Sequence, residues 1–493
     1  MTLLSTLGLN FTSITADSRT VSAGALFLAY PGTHSDGRQY IAQAIAAGAS
    51  AVLWESAVLL EGQDFAWDPA LNVANLGVNQ LKQQVGQIAA EFYQYPSRKF
   101  GMVGVTGTNG KTSVSQWIAQ ALLALDKKAA VIGTIGNGFI GAEDQGLTEA
   151  SNTTPDAILL QAMLADYAQQ GAESVVMEVS SHGLDQGRVN GVEFDIAVFT
   201  NLTRDHLDYH ETMDAYASAK QKLFSWPNLG AAVLNVDDPF GKKIAETLSE
   251  SDFPCMTYGL THGDVRAREL KLNQFGIAMK VITPQGEAVL AAPVLGRFNA
   301  YNLLAVLATL LVRKVPLHDA VSAIAKVKSV PGRMEQFGGG NQPLVVVDYA
   351  HTPDALKNVL MSLREQTQGR LICVFGCGGD RDVGKRPLMG AIAEKLADHV
   401  VVTSDNPRSE SPALIIEQIV HGMTVQPSIA TDRAIAIQQT IKFANKDDIV
   451  LLAGKGHEGY QEIDGVRMPF SDIAIAKAAL LTWLPDQEVV VSK

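Results

Sequence analysis

The sequence predicts an α/β chain of three domains, with a parallel sheet in the second and a doubly wound, Rossmann-like sheet in the third. Three observations support this. Short apolar runs alternate with segments whose apolar residues recur at helical spacing. The runs of the central region end in polar residues and those of the last region in Gly, Asp or Asn, as buried parallel strands do where their carboxyl ends face ligands. A length of 493 residues also exceeds what one hydrophobic core usually serves.

Residues 1–93 hold the apolar runs ALFLAY and SAVLW with a turn-rich stretch, PGTHSDGR, between them, so a small mixed α/β module is expected there. The pattern changes around Pro96. KFGMVGVTG reads as a buried strand, and KTSVSQWIAQALLAL as the helix that follows it. ESVVMEV, FDIAVFTN and AAVLNVDD continue the pattern, each an apolar run with a polar end, which gives a central sheet domain over 94–329. The third region, 330–493, begins at VPGR. Its strand-like runs are LVVVDYAH, RLICVFGCGGD, HVVVTSDN and DIVLLAGKGHE. Between them lie TPDALKNVLMSLREQ, KRPLMGAIAEKLAD and PALIIEQIVHGM, which have helical spacing. No repeat, coiled coil or low-complexity tract is visible.

Bulk properties narrow the function classes. Hydrophobic residues are 47% and charged residues 18%, as in globular proteins. No segment approaches the roughly 18 consecutive apolar residues that a membrane span needs. The N-terminus, MTLLSTLGLNFTSITADSR, lacks the basic and apolar regions of an export signal, so a cytoplasmic location is expected. Cys255, Cys373 and Cys377 are too few for a disulfide framework and lack the further ligands of a zinc site. A net charge of −12 argues against broad nucleic-acid binding, which needs a basic face. Small anions would have to be held by a few local Arg, Lys and backbone N–H groups.

VGVTGTNGKTS sits between a strand and a helix, the position a phosphate-cradling loop requires. Gly107 and Gly110 let backbone N–H groups approach phosphate oxygens, and the helix start adds its positive dipole end. Lys111 can reach β- and γ-phosphates, and the Thr112 hydroxyl can ligate magnesium. The spacing departs from the commoner G-x4-G-K-[ST] form, because Gly104 falls one residue early and Val105 takes the expected place. The bland reading is a glycine-rich turn with a chance Lys-Thr pair. Strand, loop, GKT and helix together favour nucleotide binding.

TGTNGKT resembles the nucleotide loop of the Mur ligases and the related folylpolyglutamate synthases, and further matches follow along nearly the whole chain. ADSR (16–19), NTTPD (152–156), MEVSSHGLDQGR (177–188), TNLTRDHLDYH (200–210) and YASAK (216–220) are similar to that family. So are NAYNLLA (299–305), VPGRME (330–335), VDYAHTPDAL (347–356), GCGGDRDVGKRP (376–387), SDNPRSE (404–410) and AGKGHE (453–458). The resemblance implies a nucleotide-sugar domain, a central ATP-binding domain and an amino-acid-binding domain, in that order. It implies an ATP-dependent ligase with Mg²⁺ that acts, as a monomer without nucleic acid or membrane insertion, on peptidoglycan precursors. DNPR is similar to the signature of members choosing meso-diaminopimelate, with UDP-N-acetylmuramoyl-L-alanyl-D-glutamate as acceptor. The lysine-adding homologue and a folylpolyglutamate synthase are the alternatives within the family. Outside it, a nucleotide switch or transport ATPase would need a partner-binding tail that the sequence does not display.

By the same resemblance, the ATP set is Gly107, Thr108, Asn109, Gly110, Lys111, Thr112, Ser113, Asn302, Arg333, Asp348 and His351. Arg333 is expected to reach the γ-phosphate on domain closure. The metal set is Thr112, Glu178, His206 and Lys220, the last through a carbamate on its amine. By composition alone Glu178 could be a solvated strand end and Lys220 a helix-surface lysine. Ala16, Ser18, Thr33, His34 and Ser35 correspond to the uridine and diphosphate pocket, and Asn152, Thr153, Thr154, Ser180, Gln186 and Arg188 continue it. Arg188 suits a phosphate or carboxylate, since its planar fork bonds in pairs; the alternative is a surface arginine. Arg381, Asp405, Asn406, Pro407, Arg408, Gly454 and Glu458 match the diaminopimelate positions. Arg408 could clamp the carboxylate that lysine lacks, while Asp405 or Glu458 could accept from an ammonium. His182, His210 and His457 read equally well as structural.

Overall fold

The computed structural model describes residues 3–32, 35–56, 65–141, 147–148, 150, 152–250, 253–273 and 276–484. Its contacts divide the chain into two compact units: residues 1–106, 126–197 and 218–232 form one, and residues 107–125, 198–217 and 233–493 the other.

In the first unit, Ile14–Thr15, Ala25–Ala29, Ala49–Glu55 and Ala74–Val78 form a parallel sheet in that order. Side chains alternate across it, as the two-residue period of a strand demands. Leu26, Leu28, Ala51, Leu53 and Val78 pack with Val85 and Ile88 of the helix Leu81–Phe92 on one face. Phe27, Ala29 and Val52 pack with Ile41 and Ala44 on the other. The buried carboxylate of Glu55, at the last strand residue, accepts from the N–H groups of Gln80 (2.9 Å) and Leu81 (2.7 Å). It therefore satisfies donors at a helix start and sits at the positive end of its dipole. In the same helix, Gly86 lies against the carbonyl of Asn190, and a Cβ on Gly86 or on Gly191 would overlap backbone atoms. This unit also carries Gly101–Thr106 paired parallel to Ser174–Glu178, which pairs parallel to Ala129–Gly133. Gly136–Phe139 closes that edge antiparallel.

In the second unit, the helix Lys111–Leu123 starts directly after the loop 107–110. A meander, Val265–Asn273, Gly276–Thr283 and Gly286–Ala292, stands beside Cys255–Gly259; the sequence reading had not resolved it. A six-stranded sheet has the order Glu335–Gly338, Leu344–Asp348, Ile449–Ala453, Leu371–Phe375, His399–Thr403 and Ser428–Ala430. All pairs are parallel except the first. Alternation again divides the core. Val346, Cys373, Phe375, Val402 and Leu451 face the helices Pro353–Arg364, Lys385–Leu396 and Pro412–Val420. Val345, Val347, Val374, Val450 and Leu452 face Arg433–Phe443 and Asp472–Leu481. The strand Ile449–Ala453 enters last and slots between two earlier strands, so the order reverses there. In such sheets ligands bind where strand carboxyl ends meet a reversal. Residues 349–352, 376–382, 404–408 and 454–458 all leave parallel strands on that edge.

Candidate active site

The phosphate loop is held by its own backbone and by the segment after the strand Ile196–Phe199. Gly107 has φ 148° and Gly110 φ 86°, conformations open to glycine but costly for other residues. A Cβ on Gly107 would overlap Thr200 Oγ1, and one on Gly110 would meet Asn302 Oδ1 at 2.5 Å. Thr108 and Asn109 donate their N–H groups to the carbonyl and the side chain of Asn201, at 2.8 and 2.9 Å. Thr200 Oγ1 and Asn201 Nδ2 donate to the carbonyl of Asn109. Lys111 Nζ lies over the loop, 2.9 Å from the Gly107 carbonyl and 2.8 Å from that of Thr108. The Ser113 side chain is buried in the first helical turn.

Around the loop are groups from sequence-distant segments. Arg333 Nη2 donates to Thr112 Oγ1 at 3.2 Å, and its guanidinium stacks on Tyr349. Asn302 is buried and bonded to Asn299. Asp348 accepts from the N–H groups of Met334 and Ala350; burial raises its pKa, against the lowering influence of Arg333. This carboxylate therefore holds Arg333 in place by fixing the turn that bears it. His351 shares its Nδ1 with the Tyr349 carbonyl at 2.8 Å, and burial followed by the charge of Lys385 pushes its pKa down. A neutral ring with Nδ1–H donating leaves Nε2 as an acceptor. Asp205 was missed by sequence reading, although it lies within the quoted TNLTRDHLDYH. Burial alone would raise its pKa, but His206, His351, the His206 N–H and Lys111 hold it below the ordinary carboxylate value. His206 itself has φ 53° and its ring is 3.4 Å from Asp205.

In the first unit, Glu178 ends its strand fully buried rather than solvated. Its two oxygens accept from Thr134 N–H at 2.8 Å and Thr134 Oγ1 at 3.1 Å, and Thr134 Oγ1 also meets Thr153 Oγ1 at 3.0 Å. Thr134 was likewise overlooked; its only signal was the Gly-Thr after an apolar run. Thr154 Oγ1 donates to the Glu178 carbonyl and accepts from Ser180 N–H. Arg188 donates twice to Gln186 Oε1 and once to the Thr154 carbonyl, so it is a built-in, half-buried arginine and not a surface one. Lys220 is 1% exposed, which corrects the composition-only expectation of a helix-surface lysine. Ser18 is buried near Gln43, while Ala16 is half-buried. Ser35 and Asn152 are exposed, and Thr33 and His34 lie outside the described residues.

At the reversal edge, Asp405, Asn406 and Glu458 converge. Asn406 Nδ2 donates to Glu458 Oε2 at 2.9 Å. Gly454, at φ 114°, lies against Asp405; a Cβ there would meet Asp405 Oδ2 at 2.5 Å. Arg408 follows Pro407 in the left-handed region, φ 51°, a conformation non-glycine residues keep only when surroundings impose it. Its surroundings do: its N–H donates to the Glu462 carbonyl, and Nη1 donates to the Gly379 carbonyl at 2.8 Å. Arg381 is exposed beside this turn's partner loop. Two fully buried arginines support the edge from below. Arg386 pairs with Glu410 through both amines at 2.8 Å, and Arg433 pairs with Asp472 at 2.8 and 2.6 Å while donating to the Ala453 carbonyl. Among the described residues no three His, Cys, Asp or Glu side chains group as a metal cluster. None of the described helices is long and apolar enough to cross a membrane.

A glycine loop at a helix start, with an arginine on its threonine and a second ligand edge on a following sheet, is the arrangement of a nucleotide-binding enzyme. The chain belongs to the Mur ligase family, and it is an ATP-dependent, amide-bond-forming ligase. The family models match in succession: the Mur ligase family catalytic domain over 10–93, the middle domain over 105–310, and the glutamate ligase domain over 332–456. Its architecture is the family's: an N-terminal domain, a central parallel-sheet domain and a C-terminal domain. It is 52% identical to the UDP-N-acetylmuramoyl-L-alanyl-D-glutamate–2,6-diaminopimelate ligase of Chromobacterium violaceum, over 98% of this chain and 96% of that one. Identity to the Pseudomonas aeruginosa protein of the same name is 52%, over 95% of each. A solved structure of a ligase with that name matches with a TM-score of 0.69 and 37% identity, over 95% of this chain and 94% of the other.

Proposed function

We propose that this chain joins meso-2,6-diaminopimelate to the D-glutamate of UDP-N-acetylmuramoyl-L-alanyl-D-glutamate, consuming ATP, in the cytoplasmic synthesis of peptidoglycan precursors. The observation that carries the choice of amino acid is the turn Asp405–Arg408, where a strained arginine is locked beside two buried polar side chains. Diaminopimelate brings a carboxylate and an ammonium at its far end. Arg408 meets the former, and Asp405 or Glu458 the latter. Lysine would offer Arg408 no carboxylate beyond the 3.5 Å contact its Nε already makes with Glu462, and a cation left short of its second partner favours rejection.

Oxide is too poor a leaving group for an amine to displace from a carboxylate. In this reading the acceptor's carboxylate oxygen attacks the γ-phosphorus, and ADP departs with the bonding electrons. The amino group then attacks the acyl carbon, inorganic phosphate leaves, and the ammonium proton is released. Lys111, the helix start at 110–112 and Arg333 neutralise charge on the transferring group. The Thr112 hydroxyl and the Glu178 carboxylate are hard oxygen donors, the kind magnesium prefers, and with His206 and a carbamate on Lys220 they would hold it. Bound there, the ion would supply charge neutralisation for the phosphates. Arg188, with Gln186, Thr154 and Ser180, would hold the nucleotide-sugar peptide, and Ala16, Ser18, Thr33, His34 and Ser35 its uridine end. We place the domain borders at 1–93, 94–329 and 330–493, and take the enzyme to act as a monomer.

Mass spectrometry of the product decides. With ATP, Mg²⁺, the UDP-muramoyl dipeptide and an equal mixture of diaminopimelate and lysine, diaminopimelate should enter the product almost alone. Lysine in equal measure would overturn the assignment.

A further inference from the structure

Lys455 is 0% exposed, and no step of the proposed reaction uses it. It lies in the turn after the strand Ile449–Ala453, one residue beyond Gly454. Its Nζ donates to Asn406 Oδ1 at 2.9 Å and to Glu458 Oε2 at 3.0 Å. Asn406 Nδ2 in turn donates to the same Glu458 oxygen at 2.9 Å, closing a triangle of three side chains. The rings of Tyr460 and Phe470 lie 5.6 and 6.0 Å from the ammonium and exclude water from it.

The chemistry of that triangle has two consequences. An ammonium only donates, so Lys455 compels the Asn406 amide to turn its oxygen inward and its NH₂ toward Glu458. The Glu462 N–H donates to the same Asn406 oxygen at 3.0 Å, which agrees with that orientation. Both of these bonds to the Glu458 carboxylate end on Oε2, so neither Lys455 nor Asn406 occupies Oε1.

We propose that Lys455 is a positioning residue for the amino-acid substrate: by holding Asn406 and Glu458 in one orientation it presents Glu458 Oε1 to the substrate's ammonium group. This rests on the reading that Asn406 and Glu458 line the amino-acid pocket. Lys455 does not touch the substrate. It preorganises the groups that do, and its loss should appear as weaker amino-acid binding more than as slower chemistry.

The test is steady-state kinetics on the full-length enzyme with all three substrates, comparing Lys455→Met, Lys455→Arg, Glu458→Gln and the double variant Lys455→Met/Glu458→Gln. Methionine keeps the buried volume and removes the donors. Lys455→Met should raise the KM for diaminopimelate by about tenfold or more while moving kcat, and the KM values for ATP and the nucleotide-sugar, much less. Lys455→Arg should recover part of the loss. The double variant should be no worse than Glu458→Gln alone, since both changes act through one carboxylate. If Lys455→Met fails to fold, Lys455→Gln, which keeps a neutral donor, is read by the same criteria. An unchanged diaminopimelate KM in the lysine variant, with a raised one in Glu458→Gln, would overturn the positioning role alone. An unchanged KM in Glu458→Gln would overturn the pocket reading, and the positioning role with it. Equal loss in all three substrates' KM values would also overturn it, as plain structural damage.

Discussion

The phosphate loop and the amino-acid edge both lie at strand carboxyl ends, yet opposite means hold them. The loop is a contiguous run whose shape comes from two left-handed glycines and main-chain bonds to Thr200 and Asn201. The edge is assembled from four separate turns and propped by buried ions: Arg433 on Asp472, Arg386 on Glu410, Lys455 on Glu458. The loop needs its own glycines and one distant segment, whereas the edge depends on several residues far from the ligand. Substitutions in the loop should therefore damage activity before stability, and substitutions in the Arg433–Asp472 pair under the edge the reverse.

The largest expected effect is at Gly107. Gly107→Ala puts a Cβ into Thr200 and forces alanine into a forbidden conformation, so kcat/KM should fall on the order of 10³-fold in a phosphate-release assay. Its melting temperature should fall less than that of Asp472→Asn, and an equal or larger fall would break the contrast. Next comes Asp472→Asn, which leaves Arg433 buried without its counter-ion. Chemical denaturation should show a loss of about 3 kcal/mol or more. Arg408→Ala should cost about 10- to 100-fold in the KM for diaminopimelate, with the KM for ATP nearly unchanged. Equal effects on both would join two sites that the comparison keeps apart.

The smallest effect is a pH dependence. Hydrogen bonds from Arg386, then from the Asp380 N–H, hold Glu410 at about 2 against an ordinary 4.5. A depressed carboxylate contributes stability that is complete above its unfolded value and lost as pH falls through its folded one. Denaturation between pH 4.5 and 2 should therefore be steeper in the native sequence than in Glu410→Gln. Identical acid profiles would show that the Arg386 pair contributes nothing.

The same contrast explains what could be read in advance. Glycines at fixed spacing before a helical run signal a loop because the cause lies in neighbouring residues, so residues 107–112 and the flanking strand and helix were visible. Four strands of the last sheet were equally plain, being apolar runs that are largely buried, whereas Glu335–Gly338 and Ser428–Ala430 are neither continuous apolar runs nor buried and were not legible. The props were not. Nothing near Arg433 in the sequence points to Asp472, and the partnership of Glu178 with Thr134 crosses 44 positions. Lys220 looked like a surface residue because a lysine ending an amphipathic stretch carries no local sign of burial, yet it is 1% exposed. The meander over 265–292 was missed because its alternating strands are short of continuous apolar runs, with Arg268, Lys271 and Lys280 among them.

The contact of Gly86 with Asn190 carries a last consequence. Two backbones touch there with no side chain between them, and Asn190 Nδ2 also fastens the turn to the carbonyl of Gln83 at 2.8 Å. A joint of that kind has no slack to absorb a shift. A shift of the helix Leu81–Phe92 toward that turn therefore meets main chain, where no side chain can rotate aside, which ties the helix to the turn that carries Arg188.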